Sequence, residues 1–142
     1  MKLAKYLSLI LVLTLSGCSI NRAKSTIMPS ANLHQVKTIY VERFVPDQRG
    51  INTIITNKLN RMGYKTTTGR VRPENVDAVV TYKDKWMWDL TMYMLELTIK
   101  VREPKTNYPL ASGNSYHTSL TRLSPEEMVS EVLTNIFNKE VK

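Results

Sequence analysis

The sequence is poor in the residues that carry most catalytic and metal chemistry. Its 142 residues include one cysteine, two histidines and five glycines. A single cysteine excludes an intramolecular disulfide, and no cluster of metal-ligand spacing surrounds His117. The chain also has no glycine-rich phosphate-binding loop. We therefore expect a protein that is not an enzyme and that has no cofactor and no metal.

The remaining candidates for catalysis have simpler structural explanations. Glu126 and Glu127 stand at the predicted start of a helix, where negative charge is favourable, and this suits them better than acid–base chemistry. Ser115 and His117 are spaced to share one face of a strand. No nucleophile elbow and no obvious acidic residue to orient the histidine accompany them, so we expect a hydroxyl and an imidazole on a solvated strand.

The sequence also lacks an apolar run long enough to cross a membrane. Residues 6–15 are mostly apolar, but ten residues are too few, because a bilayer core of about 30 Å requires roughly 20. Lys2 and Lys5 precede this run, and small residues follow it. A basic start, a short apolar core and small residues before a cleavage site are typical of a secretory signal peptide.

The only cysteine comes directly after this run. The stretch LSGC, residues 15–18, resembles a bacterial lipobox, the processing signal of bacterial lipoproteins. The resemblance implies removal of residues 1–17 and covalent lipid on Cys18, and several acyl chains hold a protein on a membrane far better than one. Ser19, in place of aspartate, implies the outer membrane of a Gram-negative cell, with the domain facing the periplasm. The alternative is a free thiol at Cys18.

Removal of residues 1–17 leaves a basic chain of a size suited to one domain. The remaining 125 residues carry 18 basic and 12 acidic side chains, a formal charge of +6. Basic proteins often bind nucleic acid, but an exported lipoprotein would not normally meet any. We expect no nucleic acid partner. The alternatives are anionic lipid head groups, lipopolysaccharide phosphates, acidic protein surfaces and lysines that only aid solubility.

The pattern after the cysteine predicts a tether and then one domain. Residues 18–35 show neither helical nor strand periodicity, which predicts a flexible tether of roughly 20–25 Å with His34 exposed. Residues 36–142 then alternate between strand and helix patterns. Ser124 and Glu127 form a predicted capping box at the last helix, and Gly113 is predicted at a bulge or bend. The fold class is α+β: a two-layer sandwich with a mainly antiparallel sheet of four to five strands and two amphipathic helices on one face, in the order strand-helix-strand-strand-strand-strand-helix.

A hairpin with its turn near Asp89 and Leu90 is predicted to present one apolar and one wet face. The register chosen for it sets Lys83 beside Glu96 and Asp77 beside Arg102. The apolar face would carry aromatic residues and one carboxylate, and the wet face would carry basic residues. These two sets are Trp86, Trp88, Tyr93 and Asp84 on the apolar face, and Lys83, Lys85, Lys100 and Arg102 on the wet face.

Two larger resemblances accompany this pattern. The order of strands and helices behind a lipobox resembles the lipopolysaccharide-assembly lipoprotein and the N-terminal domains of TolB-like proteins. The stretches WMWDLTMYMLELTIKVREPKTNYPLASG and TSLTRLSPEEMVSEVL look like small Gram-negative outer-membrane lipoproteins without assigned activity. The resemblance implies a fold and an envelope location. We infer no functional residue from it, because a shared fold does not by itself establish a function.

Two functions remain open at this point. The first is an accessory or assembly subunit that docks on another envelope protein through Trp86, Trp88 and Tyr93, with Asp84 orienting the partner. The second is a binding module for an anionic envelope ligand, lipopolysaccharide or peptidoglycan. It would use the basic residues of the wet face, Lys83, Lys85, Lys100 and Arg102.

Overall fold

The structure, a computed structural model, describes residues 21–138. The predicted signal peptide and Cys18 lie outside the described residues. No helix in the described part of the chain has both the length and the apolar character needed to span a membrane. The strands and helices are β1 (Asn21–Ile27), β2 (Thr38–Glu42), α1 (Ile51–Arg61), β3 (Lys65–Gly69), β4 (Ala78–Asp89), β5 (Thr91–Arg102), β6 (Pro109–His117) and α2 (Pro125–Phe137), with short 3-10 helices at Leu33–Gln35 and Ser119–Thr121.

The strands form one mixed sheet in the order β1-β6-β5-β4-β2-β3. The α+β class is confirmed, but the sheet has six strands, not the predicted four to five. The prediction was a mainly antiparallel sheet, whereas the observed sheet is mixed: β1–β6, β6–β5 and β5–β4 pair antiparallel, and β2 pairs in parallel with both β3 and β4. Helix α1 connects β2 to β3, and a helical crossover returns the chain in the same direction, which makes the two strands parallel.

Residues 21–27, which were predicted to belong to a flexible tether, form strand β1. It pairs with β6 along its whole length, from Asn21 opposite His117 to Ile27 opposite Ala111. The prediction of a flexible segment is therefore wrong for residues 21–27, and the folded unit does not begin at residue 36. Most side chains of this edge strand are exposed, so the sequence has no apolar alternation there. The strand is held instead by backbone pairing and by Ser25 Oγ, which donates to the Asn135 carbonyl of α2 at 2.7 Å.

Part of the predicted tether beyond β1 also belongs to the folded domain. Leu33 lies in the short 3-10 helix Leu33–Gln35 and is buried in the core. Val36 joins the same apolar cluster. His34 is exposed, as predicted.

Each helix has one end with a clear sequence signal, the C-terminal end of α1 and the N-terminal end of α2. Helix α1 is followed by Gly63 in the left-handed region (φ 96), the usual position of a glycine at a helix C-terminus. The capping box of α2 is confirmed, because Ser124 Oγ accepts from the Glu127 N–H at 3.2 Å and Glu127 Oε2 accepts from the Ser124 N–H at 2.8 Å. The Ser124 N–H and hydroxyl lower the pKa of Glu127.

The two helices contact each other and pack on the same face of the sheet. Gly113 of β6 lies directly beneath α2, since a Cβ placed on it would lie 2.8 Å from Val132 Cγ1 and 3.0 Å from Ile136. Gly113 pairs regularly with Ile99, so the predicted bulge at this glycine is wrong. The register of β5 and β6 instead shifts near the start of β6, where Val101 pairs with Ala111 but Arg102 pairs with Pro109. Gly113 is needed because α2 lies too close to β6 for a side chain at this position.

The predicted β4–β5 hairpin forms, but its register differs by two residues. Lys85, not Lys83, lies opposite Glu96, and Lys83 lies opposite Thr98. The shorter turn accounts for one residue of this difference. The predicted register has a two-residue turn, whereas Asp89 pairs with Thr91 and only Leu90 (φ 56°) remains in the turn. A bulge between Lys85 and Trp86 accounts for the second residue.

Two further pairings follow from this register. Arg102 lies opposite Val79 instead of Asp77. The Asp77 carboxylate instead accepts from the Lys37 and Thr38 N–H groups at 2.9 and 2.8 Å. The N–H groups of Thr38 and Lys37 and the Thr38 hydroxyl lower the pKa of Asp77. This carboxylate therefore ties the start of β2 to the start of β4.

Candidate binding surfaces

The four predicted basic residues lie on the face of the sheet that the helices leave uncovered. Lys100 follows Ile99, which pairs with Gly113 beneath α2, and successive residues of a strand point to opposite faces. Lys100 lies opposite Thr81, and Arg102 lies opposite Val79. The odd-numbered residues of β4 therefore share this face, which we call the basic sheet face and define by Lys83, Lys85, Lys100 and Arg102.

Two further cations belong to this face. Arg22 and Lys24 of β1 lie opposite Tyr116 and Asn114 of β6, which in turn lie opposite Glu96 and Thr98 of β5. The sequence could not predict them because β1 was not recognised as a strand. Their positions extend the positive charge from the centre of the sheet to one edge.

Glu96 interrupts the basic sheet face. Glu96 Oε2 lies 3.9 Å from Lys85 Nζ, and Glu96 Oε1 accepts from Asn114 Nδ2 at 3.0 Å. Lys83, Lys100 and Arg102 line a shallow depression of about 190 Å³ beside it. Because the Lys85–Glu96 pair is exposed, it contributes at most about 1 kcal/mol. Most cations of the face therefore remain available to an anionic ligand.

An arginine-lined cleft borders the basic sheet face. It has a volume of about 630 Å³, lies where β2 and β3 end, and is lined by Arg43, Arg70 and Arg72 and by one acidic residue, Glu42. Tyr40 also lines it and pairs with Val79, the partner of Arg102. The positive region therefore continues from β5 across β2 to the far edge of the sheet.

The predicted aromatic patch is not formed. The register of β4 and β5 changes between Lys85, opposite Glu96, and Trp86, opposite Met94. Leu95 is thus an extra residue of β5, and a bulge of this kind reverses the side-chain alternation beyond it. Met94 faces the same side as Trp86, and Tyr93 lies opposite Met87 on the other side.

The four residues of the predicted patch do not form one cluster. Asp84 accepts from Trp86 Nε1 at 2.5 Å, which supplies the polar partner that a carboxylate on an apolar face requires. The Arg49 guanidinium lies 4.1 Å from the centre of the Trp86 ring. Tyr93 is only 8% exposed and lies under Arg122, whereas Trp88 is 68% exposed.

Asp47 forms a buried polar contact that sequence reasoning missed. It is 2% exposed, and its carboxylate accepts from the Tyr82 hydroxyl at 2.6 Å and from the Arg49 and Asn52 N–H groups at 2.8 and 3.3 Å. Burial alone would raise the pKa of Asp47, but these hydrogen bonds outweigh it and the pKa is lowered. Burial, followed by the hydrogen bond to Asp47, raises the pKa of Tyr82. The contact fastens the loop before α1 to β4.

Ser115 and His117 lie beneath α2, and the prediction of a solvated strand is wrong for them. Ser115 is fully buried and His117 is 5% exposed. Glu131 of α2 provides the carboxylate that the sequence did not reveal: its Oε2 accepts from Ser115 Oγ at 2.5 Å and lies 2.9 Å from His117 Nε2. The contact could not be read from the sequence because it joins two elements through the tertiary packing of α2.

This cluster does not have the arrangement of a catalytic triad. In a triad the serine hydroxyl is hydrogen-bonded to the histidine, which acts as its base. Here the Ser115 hydroxyl donates to Glu131 instead. The buried His117 Nδ1 has no hydrogen-bond partner among residues 21–138. Within the same residues, no group of three or more His, Cys, Asp or Glu side chains could hold a metal ion.

Comparison with known proteins relates this chain to others by fold. No family model matches the sequence, and no curated protein matches it. A variant of the PelC dodecamer from Paraburkholderia phytofirmans aligns with a TM-score of 0.59 and 16% identity, over 82% of this chain and 96% of that one. A second PelC dodecamer structure gives the same TM-score at 15% identity. TolB from Acinetobacter baumannii aligns with a TM-score of 0.47 and 18% identity, over 80% of this chain and 30% of its own. The class defined here is therefore an α+β domain with the fold seen in PelC.

Proposed function

We propose that this protein is a lipid-anchored interaction subunit of the Gram-negative envelope that binds a polyanionic envelope component through its basic sheet face. In this proposal Cys18 carries the lipid, the outer membrane holds the anchor, and the domain faces the periplasm. The observation that carries the proposal is the gathering of Lys83, Lys85, Lys100 and Arg102 on the helix-free face. No catalytic step is assigned, because the buried Ser115 hydroxyl is bound to Glu131.

The spacing of these cations favours a ligand with several negative groups. Alternate residues along one strand are about 7 Å apart, and neighbouring strands are about 5 Å apart. Each exposed cation contributes little alone, about 0–1 kcal/mol, so useful affinity requires several simultaneous contacts. The phosphates of lipopolysaccharide provide such a ligand, and salt should weaken the binding strongly because the contacts are exposed.

A second candidate is a subunit of an oligomeric envelope assembly. It is favoured by the fold shared with PelC, whose structures are described as dodecamers. The second observation is the exposed edge strand β1, since strand edges present unpaired backbone groups to a neighbouring chain. Native mass spectrometry of the mature protein distinguishes the candidates, because a monomer at micromolar concentration would exclude the assembly.

The test of the basic sheet face is a charge reversal. The double variant Lys83→Glu with Lys100→Glu should bind purified lipopolysaccharide at least about tenfold more weakly, which corresponds to ~1.4 kcal/mol. Its matched control is Arg61→Glu with Lys105→Glu, which changes the net charge equally at exposed positions on α1 and in the β5–β6 turn. Binding is measured at increasing salt concentrations. Equal losses in both double variants, or binding that salt does not weaken, would contradict the proposal.

A further inference from the structure

The β4–β5 hairpin projects beyond the rest of the sheet. Strand β6 pairs with β5 only as far as Glu96, and β2 pairs with β4 only at Ala78–Val80. Residues 86–94 therefore form a two-stranded ribbon. The base of this ribbon is packed against the protein, since Met94 and Tyr93 are buried. The apolar side chains nearest the turn have less protein to pack against.

Large exposed apolar side chains are nevertheless concentrated at this end. Leu90 is 88% exposed at the turn, and Leu120 of the adjacent 3-10 helix is 86% exposed. Leu90 also adopts a positive φ of 56, a conformation that favours glycine or asparagine and costs a leucine about 1–2 kcal/mol. Because Leu90 is exposed, little burial offsets this cost, which favours a use other than core packing. We define the apolar tip as Met87, Trp88, Leu90, Met92 and Leu120.

The start of β1 lies beside the apolar tip. Hydrogen bonds join Ser119 to Asp89 of the hairpin and Thr121 to Asn21 of β1. Arg122 Nη1 donates to Thr91 Oγ1 at 2.7 Å. Cys18 precedes Asn21 by three residues, which can span at most about 11 Å. A lipid on Cys18 would therefore hold this end of the domain against the membrane.

Cations surround the apolar tip. Arg22, Arg49 and Arg122 each lie over an aromatic ring, at 5.3, 4.1 and 4.9 Å from the ring centres of Tyr116, Trp86 and Tyr93. Basic and aromatic residues next to apolar ones are typical of segments at a membrane surface with anionic lipids. The carboxylates Asp84 and Asp89 also lie at this end, bonded to Trp86 and Ser119. At the opposite end of the sheet, a depression is lined by Glu74, Asp77 and Glu103 together with Lys105. Among these residues, basic side chains outnumber carboxylates only at the hairpin end, which favours its contact with anionic head groups.

We propose that the apolar tip inserts into the head-group region of the bilayer that holds the lipid anchor, with Arg22, Arg49 and Arg122 among the phosphates. This inference rests on the proposed lipidation of Cys18. A lipid attached three residues before Asn21 would place the apolar tip next to the bilayer, so the bilayer is the surface that we expect the tip to contact. The docked domain stands with its hairpin end toward the membrane. The basic sheet face then remains open to ligands at the side.

A single-thiol experiment tests this placement. In the mature protein a lipidated Cys18 has no free thiol, so Leu90→Cys introduces one labelling position at the tip. Lys105→Cys, in the exposed turn at the opposite end, is the matched control. Both variants are labelled with a polarity-sensitive fluorophore and placed in vesicles of phosphatidylethanolamine and phosphatidylglycerol. Brominated phospholipids should quench the label at residue 90 at least about twofold, as expected within roughly 10 Å of the acyl boundary, and leave the label at residue 105 unchanged.

The outcomes separate the two proposals. Two labels per chain would show that Cys18 is free, which overturns the anchor and this inference with it. One label per chain with no quenching at residue 90 would overturn the docking of the tip and leave the anchor intact. A blue-shifted emission at residue 90 without quenching by brominated lipid would show that protein covers the tip, which also contradicts bilayer insertion.

Discussion

A chain that ends at Leu123 is expected not to fold. Helix α2 contributes six buried apolar side chains to the core, and each stabilises the fold by about 1.5–3 kcal/mol. Their loss removes about 9–18 kcal/mol, a range that overlaps and extends above the stability of a typical domain, about 5–15 kcal/mol. The residues concerned are Met128, Val129, Val132, Leu133, Ile136 and Phe137.

The truncation is measured by far-ultraviolet circular dichroism, size-exclusion chromatography and urea titration. The shortened chain should aggregate or lack a cooperative unfolding transition. A matched control ends at Asn138 and keeps every described residue, so it should unfold like the full chain. A soluble fragment ending at Leu123 with a cooperative transition would show that α2 does not cover the apolar face of the sheet.

The substitution Asp47→Ala is expected to destabilise the protein by about 2–6 kcal/mol. It removes the acceptor of two buried donors, the Tyr82 hydroxyl and the Asn52 N–H, and of the part-buried Arg49 N–H. Each buried unpaired group costs about 1–3 kcal/mol. The free energy of unfolding from urea titration at pH 7 measures the loss. Glu126→Ala is the control, because Glu126 is exposed at the start of α2 and its removal should change stability little.

The effect of Asp47 should also depend on pH. Because the folded protein lowers the pKa of Asp47, its stabilisation is present above the unfolded pKa of about 3.9. That stabilisation is lost as the pH falls through the lower folded value. Asp77, Glu103 and Glu127 also have lowered pKa values, so the informative quantity is the difference between wild type and Asp47→Ala. A difference that stays constant from pH 7 to pH 2 would contradict an ionised Asp47 in the fold.

Elements with a strong local pattern could be predicted from the sequence. The apolar period of α2 and the Ser124–Glu127 capping box depend on neighbours within one or two helical turns. The predicted order of strands and helices from β2 to α2 is also confirmed, because each of these elements has a local pattern of apolar residues. Strand β1 could not be predicted because its side chains are exposed and its partner, β6, is distant in the chain.

The structure contains the predicted basic surface but not the predicted aromatic patch, and the bulge at Leu95 explains the difference. The basic residues lie on the regular side of Leu95, where strand alternation holds and a two-residue error in register leaves each face unchanged. Tyr93 lies beyond Leu95, where the extra residue reverses the alternation. The partner of Ser115 and His117 was missed for another reason, since Glu131 reaches them only when α2 packs on β6.

The proposed function depends on a covalent lipid at Cys18 that anchors the domain to a membrane. The most direct measurement is the intact mass of the mature protein purified from bacterial membranes, with Cys18→Ala as the matched variant. We expect the wild-type chain to begin at Cys18 and to carry the mass of a diacylglyceryl group and one further acyl chain. We expect the variant to keep residues 1–17 or to leave the membrane. A wild-type mass that shows an unmodified Cys18 would contradict the proposed lipidation.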